Sequence, residues 1–174
     1  MTDSEIRDMI AANLHVKVEY ERLVSDEPTE RGDPPGVADA VLATLERQIG
    51  TTLPGSYAQF LKVRDGFRFF DGGSHILSVA DLGADWVARE RAAKGEMFVE
   101  FTGADPFANG ALPIMIGEDS NALLLYEPGR EEGERFVEYD IVEEIDTYAT
   151  LFDYIREDTE LVGELVEDET SEDQ

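Results

Sequence analysis

The 174-residue sequence contains no cysteine, and only three of its 14 basic residues are lysines. Without cysteine there can be no disulfide, thiolate zinc site or cysteine nucleophile, which suits a reducing cytoplasm. No apolar run approaches the roughly 20 residues that cross a bilayer, and acidic residues stand where a signal peptide would be basic. We therefore expect a cytoplasmic protein without membrane contacts.

Positive charge is scarce in this chain. The 40 acidic residues outnumber the 14 basic ones and give a formal net charge of -26. Such a surface repels nucleic acids and anionic membranes, and it attracts basic proteins and cations. Two compatible explanations of the charge stay open. One is an adaptation to high intracellular salt, and the other is a surface matched to a basic partner, such as a nuclease.

Apolar residues at helical spacing predict three helices in the first third of the chain. The first is capped by Asp3 or Ser4 and is expected to continue through Arg22, although alternation over residues 14–20 also fits a strand. A proline- and glycine-rich loop follows the first helix. Pro54 and Gly66 are expected to mark the start and the left-handed end of the third helix. The loop and the next two helices are predicted over 25–36, 37–49 and 53–66.

Short apolar and aromatic runs separated by turns predict an antiparallel sheet. A helix over 81–94 should end at Gly95, and Asp146 should cap a closing helix. The fold class is therefore expected to be α+β, with a mostly antiparallel sheet of roughly five to six strands flanked by helices. The predicted strands cover 67–70, 75–79, 97–101, 113–116, 123–126 and 136–139.

The chain length fits a single domain, expected over residues 1–160. From Glu157 to the end there are nine acidic residues and no basic residue. Residues 161–174 are therefore expected to form an acidic, disordered tail.

No sequence pattern typical of catalysis is present. The chain has no G-x-S-x-G elbow, no glycine-rich phosphate loop and no H-E-x-x-H motif. Its two histidines, His15 and His75, lie sixty residues apart in unrelated elements, so surface histidines are favoured over metal ligands. We expect no enzyme activity, no metal and no cofactor.

Two stretches are candidates for partner binding. Strand alternation places Phe67 and Phe69 on the core face and Phe70 on the other face, where it could anchor a partner beside Asp71. The second candidate is the acidic turn E-P-G-R-E-E-G-E, which could contact a basic surface. Its predicted contact residues are Glu131, Glu132 and Glu134.

A helix ending in E-x-x-I-G is followed by L-P-x-x-Y-x-x-F-L and a glycine, and then by a strand containing I-L-S. This order of motifs resembles the SUKH superfamily, which includes fungal cell-wall-synthesis regulators and bacterial toxin-immunity proteins. The resemblance covers about residues 37–156, and Asp65 stands where the family usually has asparagine before the glycine. The residues that carry it are Leu45, Glu46, Ile49, Gly50, Leu53, Pro54, Tyr57, Phe60, Leu61, Gly66, Ile76, Leu77 and Ser78.

This resemblance implies an α+β fold and a non-catalytic role in which the protein binds a partner protein, often a toxin. The leading hypothesis is an immunity protein that neutralises a basic, nuclease-type toxin. The alternatives are a housekeeping regulatory domain of a halophile and, less favoured, a metal- or small-molecule-dependent enzyme on the same scaffold.

Overall fold

The computed structural model describes residues 1–25, 29–118, 120–128 and 133–172, which contain six helices and six strands. The chain divides into two compact units, Met1–Arg31 with Leu151–Gln174, and Gly32–Thr150. The elements are α1 (Asp3–Val24), α2 (Asp39–Ile49), α3 (Gly55–Val63), β1 (Phe67–Asp71), β2 (Ser74–Ile76), α4 (Val79–Leu82), α5 (Asp85–Thr102), β3 (Leu112–Ile116), β4 (Ala122–Tyr126), β5 (Phe136–Asp140), β6 (Glu143–Tyr148) and α6 (Leu151–Glu172).

The first unit is built from α1 and α6, which pack against each other. α1 is a continuous helix, so the helical alternative for residues 14–20 is the one observed. Its cap is Thr2 and not Asp3 or Ser4. The Thr2 hydroxyl accepts from the Glu5 N–H (3.3 Å), and the Glu5 carboxylate accepts from the Thr2 N–H (2.6 Å). The bond from the Thr2 N–H, followed by a bond from the Thr2 hydroxyl (3.0 Å), holds the pKa of the Glu5 carboxylate below its ordinary value.

A polar cluster joins the two helices of this unit. The Asn13 amide donates to Asp158 (2.6 Å), and the Lys17 ammonium donates to the same carboxylate (2.9 Å). Asn13 is fully buried and Lys17 is 7% exposed. A buried charge needs such partners because desolvation would otherwise destabilise it. Residues 161–172, expected to be disordered, continue α6 as far as Glu172.

In the second unit, α2 ends at Gly50, whose φ of 72° is left-handed. α3 ends earlier than expected, at Val63, because Arg64 is already extended. Gly66 does have a positive φ of 85°, but it lies in the turn that follows the helix. A Cβ on Gly66 would lie 2.9 Å from the backbone nitrogen and Cβ of Ser78. Gly66 is therefore needed for close packing as well as for its φ.

The sheet confirms the expected α+β class. Its six strands lie in the order β1-β2-β3-β4-β5-β6, and every neighbouring pair is antiparallel. All of β3 and the centre of β4 are buried, which places these two strands in the middle of the core. One core cluster combines α5 residues Val87 and Phe98 with strand residues Ile116, Leu123 and Leu125.

The strand predicted at 97–101 is wrong, because these residues form the end of α5. Gly95, expected to end the helix, lies inside it. A Cβ on Gly95 would be 3.1 Å from the Asp105 carboxylate, so this glycine lets the following loop approach the helix. The inward face of α5 carries Val87, Gly95 and Phe98 at helical spacing.

Strand β6 was not predicted. Asp146, expected to cap the last helix, lies within β6 opposite Glu138, and Tyr148 lies opposite Phe136. The last helix begins at Leu151 instead. A strand with five exposed residues in succession, Glu143–Thr147, has no alternating apolar pattern, so periodicity could not reveal it.

Candidate partner-binding surfaces

The acidic turn predicted to bind a partner is only partly described. Glu131 and Glu132 lie outside the described residues. Glu134 is half-buried and bound within the chain: its carboxylate accepts from the Ser56 N–H (3.1 Å) and from the Ser56 hydroxyl (2.5 Å). The residue before α3 provides no side-chain cap, so the Glu134 carboxylate accepts a backbone N–H at the start of α3 in place of a cap. The geometry therefore gives Glu134 a role in stability.

Phe70 is buried, with 1% of its surface exposed, which corrects the expectation of an exposed anchor. The cause is a break in strand alternation at Phe69, whose φ is 52° and whose N–H donates to His75 Nδ1 (2.8 Å). Register shifts between Phe67 and Asp71, so both Phe67 and Phe70 face the core and meet edge to face, with ring centroids 5.2 Å apart.

The structure also separates the two predicted patches. Because neighbouring strands alternate in direction, the β1–β2, β3–β4 and β5–β6 turns lie at one end of the sheet. The half-buried Asp71 belongs to that end. The β4–β5 turn, which contains Glu134, lies at the opposite end. Asp71 and Glu134 therefore do not form one surface.

An exposed aromatic side chain is nevertheless present elsewhere. Phe101, near the end of α5, is 66% exposed. A strand over 97–101, as the sequence predicts, would not single out this side chain. An exposed aromatic residue is the kind of side chain that anchors protein interfaces.

A cleft of about 510 Å³ lies between the end of α5, the loop that follows it, and strands β5 and β6. Phe98 and Tyr139 form part of its lining and meet edge to face, with ring centroids 5.1 Å apart. Glu127 and Glu144 line it too, and both pair with Arg135, the latter at 3.1 Å. Burial, followed by these two carboxylates, raises the pKa of Tyr139. The cleft thus combines an aromatic surface with paired charges.

The outer edge of β6 forms a second distinct surface. β6 is the last strand in the sheet, and in the described part of the chain only β5 pairs with it. Residues Glu143–Thr147 are all exposed. The Thr147 N–H donates to the Asp146 carboxylate (2.6 Å), and charged side chains on an edge strand prevent unwanted pairing with another strand.

Nothing in the described ranges groups three His, Asp or Glu side chains as a metal site would require. His75 contacts Trp86 edge to face, with ring centroids 6.1 Å apart, and Nδ1 is occupied by the Phe69 N–H. Burial, and after it the positive charge of Arg68, lowers the pKa of His75. No helix in these ranges is long and apolar enough to span a bilayer.

The motif residues have structural roles in the second unit. Leu53, Tyr57, Phe60 and Leu61 are at most 4% exposed, and the Tyr57 hydroxyl donates to the Leu77 carbonyl (2.5 Å). These core positions fall within residues 36–157, which match the model of the SMI1 / KNR4 family (SUKH-1). The chain belongs to the SMI1 / KNR4 family (SUKH-1). Comparison with curated proteins finds no match.

Further SUKH-1 motif positions also hold elements in place. Glu46 accepts from the Leu53 N–H (2.8 Å), which fixes the connection between α2 and α3. Asp65, found where asparagine is usual, accepts from the Val79 N–H (2.8 Å). Ser78 caps α4 by accepting from the Asp81 N–H (3.2 Å). The departure at Asp65 therefore keeps a side-chain oxygen that can accept this bond.

Proposed function

We propose that this SUKH-1 protein is a non-catalytic module that binds a protein partner, and that it is an immunity protein neutralising a basic, nuclease-type toxin. The observation that carries the proposal is the family match over residues 36–157 in a chain of net charge -26. A nuclease surface that attracts phosphates is basic, so the acidic surface complements it. The absence of cysteine suits action in a reducing cytoplasm.

In this proposal charge and packing have separate effects. Complementary charge accelerates encounter, while a few desolvated contacts determine how slowly the complex dissociates. The exposed Phe101 is the aromatic anchor that we propose in place of the buried Phe70. Asp71, Glu131 and Glu132 stay proposed contacts with a basic surface, whereas Glu134 is bound to Ser56.

The decisive experiment is a test of the neighbouring gene product. A large secreted protein with a nuclease end should bind this chain, and co-expression should restore growth of cells that make the nuclease. The test variant is Phe101→Ser, which removes the proposed anchor without opening the core and should weaken both binding and protection. Failure of the wild-type chain to bind or protect would overturn the proposal.

The depletion of lysine favours a second candidate function, a housekeeping regulatory domain of a halophile. In that case the charge reflects the solvent, because salt screens repulsion among carboxylates. The chain would unfold when salt is removed, and sodium and potassium chloride would restore folding equally. A chain that is stable in low salt and binds no basic partner would exclude both explanations of its charge.

If the protein is instead a metal- or small-molecule-dependent enzyme, the cleft between α5 and β5 is where its active site would lie. Glu127 and Glu144 line the cleft, but Arg135 pairs with both. Acid–base catalysis would need one of these carboxylates to be released from Arg135 and recessed. Thermal shifts with divalent cations and small-molecule panels test this alternative, and a shift abolished by Glu144→Gln would support it.

A further inference from the structure

A second cavity, of about 320 Å³, lies where the ends of α2 and α4 meet α5 and the start of β3. Its volume is within the range of small-molecule sites. Each of these elements contributes an apolar side chain to the lining, and among the described lining residues Arg91 alone carries a charge. We call it the Arg91 cavity. The apolar contributions include Ile49, Leu82, Val87 and Leu112.

The half-buried Arg91 guanidinium forms no ion pair or hydrogen bond within the described ranges. Its Cζ lies 5.3 Å from the centroid of the Phe107 ring. A ring contact satisfies none of the five N–H donors of a guanidinium. The positions three and four residues before and after Arg91 on α5 carry valine, alanine, lysine and glycine, so the helix itself supplies no carboxylate. The Asp105 carboxylate accepts the Phe107 N–H (2.8 Å) instead.

A sheltered arginine without a carboxylate is an exception in this chain. Acidic residues outnumber basic ones by 40 to 14, so carboxylates are plentiful. The other three arginines of the described chain that are buried or half-buried each pair with a carboxylate. These pairs are Arg31–Glu21, Arg64–Asp33 and Arg135–Glu127. The donors of Arg91 are therefore directed to solvent or to a ligand, and they lie at an apolar cavity.

We propose that the Arg91 cavity binds a small apolar carboxylate. The carboxylate pairs with Arg91, because the planar guanidinium presents N–H donors that match both carboxylate oxygens. The apolar body of the ligand lies against Leu82, Val87 and Leu112. The Thr51 hydroxyl, which forms no hydrogen bond in the described part of the chain, is a further donor on the α2 side.

The electrostatics favour a ligand with one negative charge over a phosphate with two. α2 ends at the cavity with Ile49 and Gly50, and the C-terminal end of a helix carries a partial negative charge. The net charge of -26 adds to that negative field. A single carboxylate is compensated by Arg91, whereas a second charge on the ligand would be repelled.

The Arg91 cavity is suited to binding and not to catalysis. Its described lining residues include no histidine, carboxylate or lysine that could transfer a proton. The inference goes beyond the proposed function, because it concerns a small molecule and not the protein partner. Its failure would leave the proposed function unaffected.

The test uses the full chain labelled for amide and side-chain NMR, with hexanoate and benzoate as probes. Hexanamide and benzamide are neutral controls of the same shape. The two carboxylates should shift the Arg91 Nε–H and Thr51 amide signals, and the two amides should bind at least about tenfold more weakly. Equal binding of acids and amides, or shifts confined to other positions, would overturn the inference.

Two further ligands test the chemical class. Phenyl phosphate should bind more weakly than benzoate, and tighter binding of phenyl phosphate would contradict the choice of a carboxylate. A short peptide ending in leucine with a free carboxylate tests whether the ligand is a protein C-terminus. Binding of that peptide without binding of hexanoate would contradict a small free acid.

Substitutions on α5 separate the cavity from general attraction of anions. Arg91→Gln should weaken benzoate binding about tenfold and remove the preference for benzoate over benzamide. Arg91→Lys keeps the charge but loses the planar fork, so it should keep the preference at reduced affinity. The matched control is Arg89→Gln, which makes the same charge change at a side chain that is 68% exposed and outside the cavity lining. Equal losses of affinity in Arg89→Gln and Arg91→Gln would refute the site.

Discussion

Replacing Glu134 tests whether an apparent contact residue is part of the scaffold. Its carboxylate accepts from both the N–H and the hydroxyl of Ser56, at the start of α3. Glu134→Ala would leave the hydroxyl of Ser56, a residue that is 7% exposed, without this acceptor. Glu134→Gln would keep an acceptor oxygen but lose the charge that favours a helix N-terminus.

The expected magnitude follows from these two bonds. A hydrogen bond to a charged group contributes about 1.5–3 kcal/mol, and loss of an N-terminal cap costs about 0.5–2 kcal/mol. Because Glu134 is half-buried, solvent weakens its charge, and we expect Glu134→Ala to lower the free energy of unfolding by about 2 kcal/mol. Glu134→Gln should cost about 1 kcal/mol. Each kcal/mol corresponds to about 2–4 °C in Tm for a chain of this size.

Urea denaturation of the two single variants, Ser56→Ala and the double variant measures the coupling between Glu134 and Ser56. The control is partner affinity of the folded Glu134→Gln protein, which should equal that of the wild type. The reasoning is refuted if stability is unchanged while affinity falls, because Glu134 would then contact the partner.

Other positions give equally direct tests. Gly50→Ala and Gly66→Ala both place a side chain at a positive φ, which should lower the free energy of unfolding by about 1–2 kcal/mol. Only Gly66→Ala also clashes with Ser78, so urea denaturation should show a further loss of about 1–3 kcal/mol for that variant. Equal costs would contradict the packing role of Gly66. Phe70→Ala should cost about 3–5 kcal/mol without changing the affinity of the folded protein; a weaker complex at equal stability would restore Phe70 as an anchor. His75 has a lowered pKa, so the unfolded chain binds its proton first as pH falls. Stability relative to His75→Asn should be full above about pH 6.5 and decline below it, and a parallel pH profile for the two proteins would contradict this.

Local signals in the sequence predict the scaffold well where one physical requirement dominates. The helices α1, α2 and α3 follow from apolar spacing, and the strands β3, β4 and β5 follow from short apolar runs between turns. Prediction from local signals fails where a residue is required by its contact with a residue that is distant in the sequence. Gly95 resembles a helix end, yet its missing side chain makes room for Asp105, which is ten positions along the chain.

The candidate site was harder to predict because exposure depends on register. One residue at positive φ, Phe69, reverses the expected sides of the strand and buries Phe70. The exposed carboxylates of β6 belong to a strand whose residues have no apolar alternation. Composition could indicate acidic contacts in general, but pairing across strands determines which carboxylates lie together.

The most direct test of the account is the affinity of the full chain for its basic partner, measured by titration calorimetry over a range of salt concentrations. We predict that affinity falls steadily as salt rises, because salt screens the attraction between the acidic surface and a basic partner. Binding that is independent of salt would contradict the account.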